Sequence, residues 1–205
     1  GLIRLDSATP FVLHVLVPLL QEFRTLYPKI EIELQSNDQI IDLLENKTDI
    51  AFRFGALNDS SLHHKLVCTS RLYIVASPDY LKTHGTPTQA AELLQHACIG
   101  FIHPRHLNTW PLKLNGKNIT VKPTLKASNG ETVRQLALLG HGITCLSAFM
   151  IRKDLQAGSL IALFEDQIDL YIQPIHAVYY QQEHLPKRIR LFIDFLVAKL
   201  HDEPV

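Results

Sequence analysis

The stretch RLYIVASPDYLKTHGTP, Arg71–Pro87, decides how this chain is to be read. It opens with RLYIVA, an apolar run of strand-forming types. A helix start follows at once. Ser77 offers a capping hydroxyl, and Pro78 suits the first helical position, where its missing N–H is no loss. Asp79 belongs in the first turn, favoured by the helix dipole. Gly85 suits the end of that helix and Pro87 the start of another. The order is strand, short helix, stop, second helix, which is the grammar of an α/β domain.

The same alternation runs outward on both sides. LIRLDS reads as a strand, and PFVLHVLVPLLQEFRTLY as a helix. Val12, Val15, Leu16, Leu19, Leu20 and Phe23 recur at spacings of three and four. Phe11, Leu13, Val17 and Leu26 widen that stripe beyond what one sheet face needs. Pro18 should cost this helix a hydrogen bond or a kink. KIEIELQS alternates with period two and reads as a strand at a sheet edge; QIIDLLENK reads as a short helix and DIAFRFG as a strand. Beyond the central stretch come the strand HACIGFI, the hairpin PLKLNGKNITV turning at Asn115-Gly116, and the strand TLKAS. The helix NGETVRQLALLG carries the capping pattern Ser128 to Glu131 and a stop at Gly140. GITCLS, the helix AFMIRKDLQAG, SLIALF, PIHAVYY and a closing helix PKRIRLFIDFLVAKL complete the chain. Such alternation argues a mainly parallel sheet with right-handed crossovers. No linker interrupts it. The expectation is therefore two subdomains joined by strands that cross over, one from residues 1–69 and 176–205, the other from 70–175. A ligand would lie in the crevice at the carboxyl ends of the strands.

Composition narrows the function classes. The chain has 205 residues, 46% of them hydrophobic, enough for a substantial core. Its 20 basic and 20 acidic residues cancel, whereas a self-sufficient nucleic-acid binder normally shows a basic excess. No apolar run approaches the roughly 20 residues needed to span a bilayer. Cys68, Cys98 and Cys145 are well separated in apolar surroundings, which fits buried thiols in a reducing compartment and a cytoplasmic location.

Several segments together resemble the effector-binding domain of LysR-type transcriptional regulators. They are VPLLQEFRTLYPKIEIEL, DIAFRFGALNDSSL, VASPDYLKTHGTPTQAAELLQHACI, NTWPLKLNGKNITV, ASNGETVRQLALLGHGITCLSAFM and RIRLFIDFL, in that order and nearly end to end. The resemblance implies an α/β fold of two Rossmann-like subdomains, of the type 2 periplasmic-binding-protein kind, with a cleft between them. It implies a bacterial regulator that binds a small-molecule effector and acts as a homodimer, or as a tetramer at full length. DNA would be reached only through an N-terminal winged helix-turn-helix that these residues do not contain. Ser147 departs from the pattern, since many relatives carry proline after this strand.

Residue by residue, the resemblance implies an effector site of Ser7, Thr9, Asn37, Phe54, Phe101, His103, Asn129 and Ser147. The residue types agree. Ser7 and Thr9 in DSATPF stand where a strand passes into a helix, and a helix N-terminus attracts anions. The plainer reading, Thr9 capping the helix with Pro10 in its first turn, stays open. Asn37 in SND follows the second strand, where an ordinary turn is the alternative. Phe101 and His103 end a strand. Asn129 opens a helix whose capping box accounts for Ser128 and Glu131. Arg53 could clamp a carboxylate, although a structural ion pair explains it equally. A small organic anion is the default ligand. His103 and His106 lack a third ligand, so no metal is expected, and no cofactor.

No Gly-x-Ser-x-Gly elbow, phosphate-cradling loop or dinucleotide fingerprint is present, so catalysis is not expected. The alternative function is a solute-binding protein of a transport system, which shares the two-lobed architecture.

Overall fold

A computed structural model describes residues 1–57, 62–168, 172–180 and 184–205. Asn58–Ser61, within the quoted segment DIAFRFGALNDSSL, lie outside the described residues.

In chain order the strands and helices begin with β1 (Leu2–Ser7), α1 (Thr9–Phe11), α2 (Val17–Leu26), β2 (Glu31–Ser36), β3 (Ile50–Phe54), β4 (Leu62–Ala76) and α3 (Pro78–His84). They continue with β5 (Ile99–Phe101), β6 (Thr109–Leu114), β7 (Lys117–Thr120), β8 (Leu125–Ala127), α4 (Gly130–Leu138) and β9 (Thr144–Ser147). The last are α5 (Ala148–Ala157), β10 (Ile161–Leu163), β11 (Ile172–Tyr180) and α6 (Lys187–Leu200). The chain divides into two compact units, Gly1–Ser70 with Ile172–Val205, and Arg71–Tyr171. The sequence had suggested returns at 69/70 and 175/176.

Unit 1 is built on one sheet in the order β2-β1-β3-β11-β4. β1 runs parallel to β2, from Leu2 opposite Glu31 to Ser7 opposite Ser36, and parallel to β3. β11 then pairs antiparallel with β3. The sheet is therefore mixed, where the alternation had suggested a mainly parallel one. A returning strand that re-enters a sheet without a crossover helix has to run antiparallel.

Pro18 is accommodated by a change of helix type. Val12–Leu16 form a π-helical turn between α1 and α2, and the Val17 N–H bonds to the Val12 carbonyl five residues back. Pro18 then falls in the first turn of α2, where no donor is missed. The wide turn shifts the helix register. Phe11, expected on the outward surplus, is fully buried, with its ring 5.1 Å from Phe52 and 5.5 Å from Phe54. Leu19 and Leu20, expected in the buried stripe, are only partly covered. Leu13 and Val17 remain 46% exposed. Phe23 closes the same face of the sheet, 4.9 Å from Phe192 and 5.2 Å from Phe195 of α6. On the other face Leu43, Ala51 and Val178 form a small cluster.

QIIDLLENK does not form the expected helix. Residues 43–47 make a turn. The Asp42 carboxylate accepts the Glu45 N–H at 3.0 Å, its carbonyl accepts the Asn46 side-chain amide at 2.8 Å, and Lys47 has φ 53°. One turn with such local competitors does not overcome the cost of helix nucleation.

In unit 2 the Leu72–Ala76 end of β4 pairs antiparallel with β9 and β10. β5 runs parallel to β8, and the parallel bridge Cys98–Ile143 ties β5 to the start of β9. Adjacent residues feed opposite faces, as the pleat requires. Ile74, Cys98 and Cys145 pack with Trp110, while Val75, Ile99 and Leu146 pack with Val133 and Ile151. The hairpin β6–β7 turns at Asn115 (φ 54°) and Gly116 (φ 79°), the left-handed pair that an Asn-Gly turn supplies. The second helix expected from Pro87 is a 3₁₀ segment, Ala90–Gln95. Gln89 opens it without a side-chain cap, so nothing holds its first turn at Pro87.

Ser77 caps α3 as read, its Oγ accepting the Tyr80 N–H at 3.1 Å in a buried setting. Ser77→Ala is expected to lower unfolding stability by about 1 kcal/mol, seen in urea as a lower midpoint at unchanged slope.

Candidate functional site

In unit 1 the parallel pairing brings the ends of β1 and β2 and the following loops to one edge. The Ser7 carbonyl accepts the Asn37 N–H at 2.9 Å. The Thr9 N–H meets an Asp38 carboxylate oxygen at 3.4 Å. Phe54, at the end of β3, stacks edge-on against Phe11 in the first helical turn. Ser7, Thr9, Asn37 and Phe54 are thus neighbours in one small region.

Two details revise the reading of DSATPF. Thr9 is not the cap; Ala8 is, and its methyl group bonds nothing. The neighbouring hydroxyl is the more telling one. Ser7 is 1% exposed, and its Oγ has no hydrogen-bond partner among the described residues. A buried hydroxyl without a partner costs about 1–3 kcal/mol. It stands beside a helix start.

Asp6 is the residue that motif reading passed over. It is 2% exposed and accepts a hydrogen bond from the Asn37 side-chain amide. Burial pushes its carboxyl above the usual carboxylate range, against the opposing effects of the Asn37 bond and the nearby Arg53 charge. Arg53 also donates from Nη2 to the Ile41 carbonyl at 3.1 Å, so it is anchored within unit 1. The available signal was an acidic residue at an inward strand position, next to Ser7. Only the fold brings Arg53 close to it.

In unit 2, β5, β8 and β9 share a direction and end at a common edge. Phe101 lies opposite Ala127 in register, Asn129 follows two residues on, and Ser147 ends β9. Asn108 holds the end of β5 in place. Its Oδ1 accepts the Phe101 N–H at 2.8 Å and its amide donates to the Phe101 carbonyl at 3.0 Å. Nothing in the local sequence announces this clamp, because Asn108 finds its partner seven residues back, at the end of β5. His103 stands in the exposed turn beyond Phe101.

Asn129 itself has a structural task. It is the N-cap of α4, and its Oδ1 accepts the Glu131 N–H at 2.8 Å. The cap expected at Ser128 is therefore one residue later. Glu131 instead joins Arg134, at 2.6 Å, while Arg134 also grips Asp154 of α5 through two bonds of 2.7 and 2.8 Å. Ser147 is the N-cap of α5 without a side-chain cap bond.

Among the described residues no group of three His, Cys, Asp or Glu side chains is placed to hold a metal ion. No described helix is long and apolar enough to cross a membrane. Burial raises all three thiols, Cys68 to about 12, Cys98 to about 11 and Cys145 to about 12. None is an activated nucleophile.

Comparison with known proteins agrees with this architecture. The LysR substrate binding domain family matches residues 1–201. The HTH-type transcriptional regulator CrgA of Neisseria meningitidis serogroup C is 45% identical over 201 residues, covering 98% of this chain and 67% of that protein. The solved regulatory domain of Neisseria meningitidis CrgA, a LysR-type transcriptional regulator, superposes with a TM-score of 0.93 at 43% identity, covering 98% of both chains. The full-length Vibrio cholerae virulence activator AphB gives 0.82 at 32% identity, covering 97% of this chain and 68% of that one. The fold is the two-subdomain, periplasmic-binding-protein-like α/β fold of such regulatory domains. These matches are to regulators, and they displace the transport alternative.

The thiols supply a direct check. Ellman's reagent should leave Cys68, Cys98 and Cys145 unmodified in the native chain, with all of them reacting once urea unfolds it. Rapid labelling of any one in the native chain would contradict its burial.

Proposed function

The chain belongs to the LysR substrate binding domain family, and from that premise we propose how this effector-sensing domain of a LysR-type transcriptional regulator recognises its ligand. The effector is a small organic anion. Ser7, Thr9, Asn37 and Phe54 form its binding edge in unit 1, and Phe101, His103, Asn129 and Ser147 form the binding edge of unit 2. The two units serve as regulatory subdomains I and II. The observation that supports this most is the buried, unpartnered hydroxyl of Ser7 beside a helix start. An anion held there would receive the Ser7 O–H, and the Thr9 N–H once it displaces the Asp38 carboxylate that now accepts it; Pro10 has no N–H, and those of Phe11 and Val12 bond the Ala8 carbonyl. Asn129 contributes by holding the start of α4, and its own carbonyl oxygen is already engaged.

A ligand alters transcription only through unequal affinity for two arrangements of the protein. In our reading the readout is a homodimer, and a tetramer for the full-length regulator. Leu13 and Val17 form an exposed apolar strip. β2 is an unpaired sheet edge of the same unit. An isologous contact would cover both at once. DNA contact is assigned to a segment outside these residues, in keeping with the zero net charge, and the site is one of binding without catalysis. A cytoplasmic location follows from that role and from the buried free thiols.

A thermal-shift screen against aliphatic and aromatic carboxylates, followed by calorimetry, tests the ligand class. Thr9→Ala should weaken binding by about 0.5–1.5 kcal/mol. Ser7→Ala should weaken it similarly and yet raise the stability of the ligand-free domain, because an unsatisfied hydroxyl is removed. Ligand affinity unchanged by both substitutions would defeat the site. In sedimentation velocity the domain should run as a dimer and Val17→Lys as a monomer; a wild-type monomer at tens of micromolar would refute the interface.

A further inference from the structure

A row of basic side chains crosses three adjacent strands of unit 1. Arg53 of β3 stands directly opposite His176 of β11 in the antiparallel ladder, so both project from the same sheet face. His64 of β4 meets His176 edge-on, with ring centroids 5.3 Å apart and planes at 88°. This face also carries Ala51 and Val178, which pack with Leu43, and α1 and α2 lie on the other. The Nδ1 of His176 is buried and has no hydrogen-bond partner among the described residues.

Other charged groups around the row are engaged nearby. Asp6 of β1, which feels the Arg53 charge, bonds Asn37. On the covering segment, Asp42 accepts the Glu45 N–H and Asp49 accepts the Arg4 N–H at 2.8 Å. The Ile41 carbonyl accepts from Arg53. Burial holds His176 below its ordinary value of 6.5, and the neighbouring His64 adds to the effect.

We propose that Arg53, His64 and His176 form a proton-linked site for a small oxyanion, on the sheet face of unit 1 opposite α1 and α2. The anion accepts the Nδ1–H of His176, and the imidazole takes up one proton from solvent as it binds. The Arg53 guanidinium supplies permanent positive charge opposite. A metal ion is the wrong occupant, since that same charge repels it and two imidazoles do not complete a coordination set. The site needs neither Ser7 nor Thr9, although Asp6, which feels the Arg53 charge and bonds Asn37, links it to the effector edge.

The linkage has a definite sign. A histidine whose folded value is lowered contributes stability at neutral pH and above, lost as pH falls through 6.5 toward the folded value. A bound anion raises the folded value and delays that loss.

Imidazole NMR titrations of the whole chain test this, using acetate and phosphate against chloride at matched ionic strength. The His176 midpoint should rise in acetate or phosphate, saturably, with anion affinity increasing about tenfold per pH unit as pH falls from the anion-bound midpoint to the lower midpoint of the anion-free chain, and level below it. His64→Gln, at an exposed position, should raise the His176 midpoint without added anion and shrink the anion effect. Ser7→Ala should leave the effect intact. A His176 midpoint that is the same in all three salts overturns the proposal. So does an anion effect abolished by Ser7→Ala, which would place the anion at the effector edge instead.

Discussion

Parallel pairing around β1 is the constraint on which unit 1 depends. β1 is held between β2 and β3, with Leu2 opposite Glu31 and Asp6 opposite both Gln35 and Ala51. Strands that run the same way end on the same side, and the chain can leave that edge only by turning into a helix or loop. Ser7 and Asn37 meet there because their strands stop together. Unit 2 obeys the same rule with β5, β8 and β9, and Phe101, Asn129 and Ser147 gather at the carboxyl edge of that sheet for the same reason. In both units the gathering of these residues is a consequence of strand direction before it is a matter of side-chain chemistry.

Polar groups are treated differently in the two units. Among the described residues, unit 2 pairs its buried polar side chains where strands and helices meet: Asn108 closes both backbone groups of Phe101, and Arg134 is held by Glu131 and Asp154. Among the described residues, unit 1 keeps a buried carboxyl with a raised affinity for protons, and buried side-chain atoms without a hydrogen-bond partner on Ser7, Thr48 and His176. Such groups reduce stability unless something binds them. They fall at Asp6, Ser7, Thr48 and His176, all in unit 1.

How much of the site was legible follows from the distance over which each feature is determined. Ser7 and Thr9 stood out because a strand-to-helix junction is visible in six consecutive residues. Asn129 stood out too, but its capping task did not, since a capping pattern admits a shift of one residue and the backbone of the preceding strand decides which residue caps. Asp6, Asn108 and the Arg53–His176–His64 row were hidden. Each acquires meaning only from a partner far away in the chain, and an isolated Asp, Asn or His carries no trace of that partner.

The sequence by itself determined the alternation of strands and helices, the start of α3 at Ser77, the hairpin turn at Asn115-Gly116 and the end of α5 at Gly158. These are local: the φ preference of a glycine or the hydroxyl of a cap acts within a turn of the chain. It also carried enough ordered segments to indicate the family. The tertiary structure alone decided that β11 returns antiparallel beside β3, that Phe11 turns inward through a π-helical turn, and that residues 39–49 stay irregular over Leu43. Those outcomes depend on burial shared among residues distant in sequence. A helical wheel assumes a constant register and a propensity counts neighbours along the chain, and neither contains the sheet against which Phe11 and Leu43 pack.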